Sequence, residues 1–221
     1  THAILLRRNR PCSEVCGRLV RAPEVRGRRH RACLPDYQAR PSWRGGNNPR
    51  LMYIGLISDT HGVFDDAFKE FLAPVDVIWH AGDWGGDSSF ADDIAAFKPV
   101  VGVYGNCDGS GIRYQFPEAQ VLKLQGLTVL MTHIGGSPGH YYPSAKLLIE
   151  RHKPDVFICG HSHILKVMQD SKYNLLYINP GAAGLQGWQL VRTALRFKIE
   201  EGAVKDMEVF EYPKKLSTFA R

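Results

Sequence analysis

An apolar run of 5–7 residues that stops abruptly in glycine and polar residues occurs six times after Met52. "MYIGLIS" meets "DTHG", "VDVIWHA" meets "GD", "KPVVGVY" meets "GNCDG", "LTVLMT" meets "HIGG", "PDVFIC" meets "GHSH" and "NLLYI" meets "NPGAAG". The runs are short and rich in Val and Ile, which favours strands over helices. Helical spacing fills several intervals. Residues 65–72 align Phe68, Phe71 and Leu72 with Phe64, residues 88–97 align Phe90, Ile94 and Phe97, and residues 144–151 bring Leu147 and Leu148 together behind a Ser144 cap. The order is β-α-β-α-β, a hairpin at Gln125-Gly126, then α-β. Two long alternating strands joined at Glu201-Gly202 follow. The expectation is a mixed-sheet α/β domain over residues 52–213 with a C-terminal tail, 214–221.

The charge is unevenly spread. Residues 1–51 hold 12 Arg, no Lys and three acidic residues, a net of +9, whereas residues 52–221 carry a net of −3. The basic excess therefore says nothing about what the main domain binds. Arg outnumbers Lys 12 to 0 before residue 52 and is outnumbered 5 to 11 after it, and Met52 opens directly into the first strand. Residues 1–51 are expected to be a disordered or non-native extension arising from a misassigned start. An organellar presequence and a basic arm for nucleic acid are the alternatives. Cys12, Cys16 and Cys33 lie in this segment, Cys107 and Cys159 in the main body. Five cysteines at irregular spacing are not a disulfide framework, and Cys12 and Cys16 lack the second pair a zinc site needs. No apolar run approaches the roughly 20 residues that span a bilayer. The expectation is a reducing, cytoplasmic setting with no membrane partner.

In open α/β sheets ligands gather at the carboxyl ends of strands. Here those ends carry Asp59, His61, Asp83, Asn106, His133, His161 and His163. The steps from His61 to Asp83, Asn106, His133 and His161 are 22, 23, 27 and 28 residues, each about one supersecondary unit. Each motif alone is ordinary. Asp-x-His can be a capped turn, Asn106-Cys107-Asp108-Gly109 favours a turn, and "NPGAAG" is a tight loop. His80 ends a strand but reads as core or as a support behind the ligands. Five strand ends acquiring ligand-type residues together is another matter. Imidazole with carboxylate suits Mn, Fe, Co, Ni or Zn rather than Ca or Mg. Seven donors exceed one ion's needs, and a two-ion site with a bridging carboxylate uses them all.

The series D-x-H, G-D, G-N, a single His, then G-H-x-H resembles the calcineurin-like metallophosphoesterases over Met52 to about Tyr212. The short length, "GNCD" and "NPGA" are most similar to the YfcE-type phosphodiesterases. The resemblance implies a two-layer β-sandwich flanked by helices. It implies one ion on Asp59, His61, Asp83 and His163 and a second on Asp83, Asn106, His133 and His161. Two divalent transition ions, Mn first and Ni, Co, Fe or Zn next, would generate a bridging hydroxide that attacks a small phosphate ester, with Asp83, Asn106 and His133 in the catalytic roles. Diesters are favoured over monoesters. One position departs from the family. Many members have a His after the motif Asn to protonate the leaving group, and here it is Cys107, whose ordinary pKa of about 8.5 suits the task poorly; the YfcE-type proteins carry a similar Cys, so the change does not by itself imply an inactive protein. His140 and Asp108 are the substitute donors, with surface residues as the plainer reading. A non-catalytic scaffold, as in a retromer subunit of this fold, and a nuclease using the basic arm are the competing functions. Trp84, Phe116, Tyr141, Tyr142 and Trp188 read mostly as core, or else as a groove or interface. Oligomeric state is left open.

Overall fold

The computed structural model describes residues 25–26 and 51–214. The expectations for the rest of the Arg-rich segment and for residues 215–221 lie outside those residues. Along the chain come β1 (Val25–Arg26), β2 (Leu51–Ile57), α1 (Asp66–Leu72), β3 (Val77–His80), α2 (Ser88–Phe97), β4 (Val100–Gly102), α3 (Ser110–Gln115), β5 (Ala119–Leu124), β6 (Leu127–Thr132), β7 (Gly136–Ser137), β8 (His140–Tyr141), α4 (Pro143–His152), β9 (Val156–Ile158), β10 (Leu165–Asp170), β11 (Leu175–Pro180), β12 (Val191–Glu200) and β13 (Ala203–Pro213).

Among the described residues these strands build two large mixed sheets, ordered β1-β13-β12-β2-β3-β4 and β10-β11-β9-β6-β5, and a small β7-β8 ribbon. Strands β2, β3 and β4 run parallel, as do β6, β9 and β11, while the long β12–β13 hairpin joins antiparallel to β2. The continuous apolar runs have a direct cause: each central strand is buried on both faces. Ile54, Leu56, Val77, Trp79, Val129, Met131, Val156, Ile158, Leu176 and Ile178 form the core between the sheets. The alternate residues point outward. Ile57 and Ile78 meet α1 and α2 through Phe68, Leu72 and Ile94, and Leu130, Phe157 and Tyr177 meet α4 through Ala145 and Ile149. The result is two stacked sheets with a helical layer on each outer face, the α/β architecture expected from the sequence.

Differences from the sequence expectation are local. Helix α4 starts one residue early, with Pro143 in its first turn and Tyr142 at the cap without a side-chain bond, so Ser144 is not the cap. Asp65 occupies the α1 cap position but spends its carboxylate on Arg192 instead. Helix α3 and edge strand β10 were not anticipated. Pro213 closes β13, and Lys214 is tied back by its N–H to the Leu190 carbonyl, 3.1 Å away.

Candidate metal centre

The strand ends of both sheets meet in one place. Asp59 and His61 follow β2, Asp83 follows β3 and Asn106 follows β4, all in the first sheet. His133 follows β6, and His161 and His163 follow β9, in the second. Asp59, His61, Asp83, His161 and His163 all have left-handed backbone, with φ between 46° and 66°. Non-glycine residues rarely hold this conformation, and it costs on the order of 1–3 kcal/mol each. It persists because the backbone is pinned. The Asp59 N–H donates to the Gly82 carbonyl at 2.9 Å, the His61 N–H to the Asp83 carbonyl at 3.2 Å, and the Gly184 N–H to the Asp59 carbonyl at 2.9 Å. The His161 N–H crosses between sheets to Asp59 Oδ2 at 3.1 Å. Glycine is required beside them. A Cβ on Gly82, itself at φ +93°, would stand 2.6–2.7 Å from His133.

Ligand-type atoms fall into groups whose members lie within 4.8 Å of one another: Asp59, His61 and His163; Asp83, His133 and His161; and His61, Asp83 and Cys107. His163 Nε2 is 3.1 Å from Asp59 Oδ1, His133 Nε2 is 3.2 Å from Asp83 Oδ2, and His61 Nε2 is 4.0 Å from Asp83 Oδ2. His133 Nδ1 lies 2.8 Å from the Ala81 carbonyl. A carbonyl only accepts, so Nδ1 carries a proton and Nε2 is the ring atom turned toward Asp83 and Asp59. Asn106 stands at the exposed rim, its Nδ2 donating to Cys107 Sγ at 3.3 Å.

Electrostatics match this arrangement. Burial opposes charge on Asp83, but the His133 ring and the Cys107 N–H, 2.8 Å from Oδ1, outweigh it and hold the carboxyl well below the usual range. Burial lowers His61 despite Asp83 and Asp59. His133 is disfavoured as a cation by burial, yet Asp83 and Asp59 bring it above its ordinary value, and the Asp59 carboxylate 3.1 Å away does the same for His163. Desolvation and then Asp83 push the Cys107 thiol up to about 11, which makes it a worse proton donor than the sequence suggested. Asp108 is no surface acid. It is buried, and its carboxylate accepts from the Gly105 and Gly85 N–H groups at 2.7 and 3.2 Å. His140 is exposed on β8.

Among the described residues, Asp59 Oδ1, His61 Nε2 and His133 Nε2 of this centre are buried polar atoms without a hydrogen-bond partner. Orphaned buried acceptors are costly and call for an explanation. A divalent cation supplies one, because a carboxylate and imidazole lone pairs aimed at one space are its donor set.

The sequence reading missed Thr60 and Asn179 among the residues that hold this set. His80, read as core or support, is fully buried and stacks on Trp84 at 3.7 Å. Its Nδ1 accepts the Gly82 N–H at 3.2 Å, so Nε2 donates to Thr60 Oγ1 at 2.9 Å, which in turn donates to the Trp84 carbonyl at 2.8 Å. Asn179, from "NPGA", donates to the Gly160 carbonyl at 2.8 Å and to Ser162 Oγ at 3.1 Å, supporting the loop of His161 and His163. Trp84 is core, while Trp188 is fully exposed.

Residues 52–202 match the family profile described as the calcineurin-like phosphoesterase superfamily domain. Solved structures share the fold. Vacuolar protein sorting 29 (Vps29) from Cryptosporidium parvum is 18% identical over 73% of this chain and 99% of its own, with a TM-score of 0.57. Vps29 of Entamoeba histolytica, solved with Zn2+, is 18% identical over 72% and 99%, with a TM-score of 0.53. A Thermotoga maritima protein solved by NMR is 22% identical over 71% and 98%, with a TM-score of 0.54. No curated protein matches the chain in sequence.

Proposed function

This chain belongs to the calcineurin-like phosphoesterase superfamily, and from that premise we propose that it is a dinuclear-metal-dependent phosphodiesterase acting on small phosphate esters. The observation that carries this reading is the convergence of buried, unpartnered Asp59 Oδ1, His61 Nε2 and His133 Nε2 where two sheets' strand ends meet. Asp59, His61, Asp83 and His163 would hold one divalent ion. Asp83, Asn106, His133 and His161 would hold the other, with Asp83 shared. Mn2+ is the first candidate and Ni2+, Co2+, Fe2+ or Zn2+ the next. Zn2+ gains support from its presence with a Vps29 of the same fold. Bound there, such ions supply Lewis acidity that makes water a nucleophile near neutral pH and offsets phosphate charge.

The chain's own residues do the rest. Asp83, held anionic by its donors, balances cationic charge in a buried place. His133 is oriented through Ala81 and faces the reacting space. Asn106, at the exposed rim, is positioned to donate to a phosphate oxygen. With Cys107 in place of a His, no strong general acid follows the motif Asn. This favours esters whose leaving group departs without full protonation.

A scaffold function is the second reading, favoured by the Vps29 neighbours. The retention of all seven donor side chains weighs against it. The deciding experiment strips the protein with chelator and reloads it separately with Mn2+, Ni2+, Co2+, Zn2+ or Mg2+. It then compares a diester and a monoester sharing one chromogenic leaving group. Metal-dependent diester turnover is expected. Full metal occupancy with neither ester turned over would move the assignment to a scaffold.

A further inference from the structure

Cys107 stands outside both ligand sets above, yet its Sγ lies within 4.8 Å of His61 and Asp83 ligand atoms. The side chains of those partners are 6% and 3% exposed, and His61 Nε2 has no hydrogen-bond partner. Cys107 is exposed while the two side chains beside it are buried.

Its placement is fixed from several directions. The Cys107 N–H donates to Asp83 Oδ1 at 2.8 Å. Arg113 anchors the loop through the carbonyls of Asp108, Gly105 and Asn106, at 2.7, 3.3 and 3.3 Å. Asn106 Nδ2 donates to Sγ, which leaves the amide oxygen free to ligate. A zinc ion sits about 2.3 Å from sulfur and about 2.0–2.1 Å from imidazole nitrogen, so tetrahedral donors of one ion lie about 3.5 Å apart. The His61, Asp83 and Cys107 ligand atoms, within 4.8 Å of one another, would draw together around an ion.

We infer that Cys107 is a thiolate ligand sharing an ion with His61 and Asp83, and that it biases the centre toward thiophilic Zn2+ and Co2+ over Mn2+ and Mg2+. A soft sulfur donor added to nitrogen and oxygen selects in that sense. On binding, the S–H bond breaks, the sulfur lone pair bonds the cation, and the proton passes to solvent with no change of oxidation state. The inference rests on the two-ion reading and, within its candidate ions, moves Zn2+ and Co2+ ahead of Mn2+.

The test is a Co2+ titration of chelator-stripped full-length protein followed by absorption spectroscopy. The expected result is a near-ultraviolet sulfur-to-cobalt charge-transfer band that saturates with the visible cobalt bands. It is lost in Cys107→Ser, which still binds cobalt, and kept in Cys159→Ser, whose buried thiol is engaged with Tyr177. In parallel, Zn2+ should compete less well against Mn2+ in Cys107→Ser than in the wild type. Two bound cobalt ions without the band, or a band unchanged in Cys107→Ser, overturns the thiolate assignment and leaves the two-ion reading standing. A protein that binds no cobalt overturns both.

Discussion

Asp83 falls in two of the three groups of ligand-type atoms. One oxygen accepts the Cys107 N–H and the other faces His133 and His61. Asp83→Ala should abolish metal-dependent turnover and remove at least one ion per chain, read by elemental analysis after dialysis. Undiminished turnover at saturating metal would take Asp83 out of the shared position. Gly82 tests the same geometry from behind. Gly82→Ala places a methyl against His133 at a left-handed φ. It should cost about 1–3 kcal/mol in urea unfolding and weaken metal binding about 10–100-fold, because His133 must turn. Wild-type affinity in that variant would mean that the loop relaxes without moving the ring.

The elements divide by what their sequences could reveal. Strands β2, β3, β6, β9 and β11 were legible because burial on both faces leaves an uninterrupted apolar run. The ligand-type residues were legible because each follows such a run directly. Strand β10 was not, since it is an edge strand in which Lys166 and Gln169 break the pattern. Helix α3 has only six residues, buries Ile112 and exposes Tyr114, so its period had no room to appear. The supports Thr60, His80 and Asn179 were illegible as a group because their partners come from other elements. Asn179 shows what such a residue does at the end of β11. Asn179→Ala removes the acceptor of the Gly181 N–H and one of the two donors to the Gly160 carbonyl, which keeps the Ser162 N–H. A loss of about 1–3 kcal/mol of stability is expected, with weaker binding of the ion on His161. Calorimetry of metal binding should show both affinity and enthalpy reduced, and an unchanged titration would confine Asn179 to the fold.

For the whole molecule, His80 ties stability to pH. Burial holds it well below its ordinary value of 6.5, so the unfolded chain takes up a proton there that the folded chain refuses. Its stabilising contribution is complete above about pH 6.5 and is lost as pH falls below that value. The limiting slope is about 1.4 kcal/mol per pH unit. His133 pulls the other way, so the comparison is between wild type and His80→Gln, both metal-free. The variant should lose less stability in urea between about pH 7 and pH 5.5. Parallel slopes would show that His80 titrates alike in both states.

The donors come from two different sheets, four residues from the sheet of β2, β3 and β4 and three from that of β6 and β9. Ions held between them would act as a clasp across the seam of the sandwich. Each tenfold rise in free metal above its dissociation constant then adds about 1.4 kcal/mol to the work of separating the sheets. Stripped of metal, the molecule should breathe along that seam first. Amide hydrogens of residues 58–62, 81–84 and 159–163 would exchange with deuterium well before those of the β12–β13 hairpin, and metal would slow the former while leaving the latter untouched.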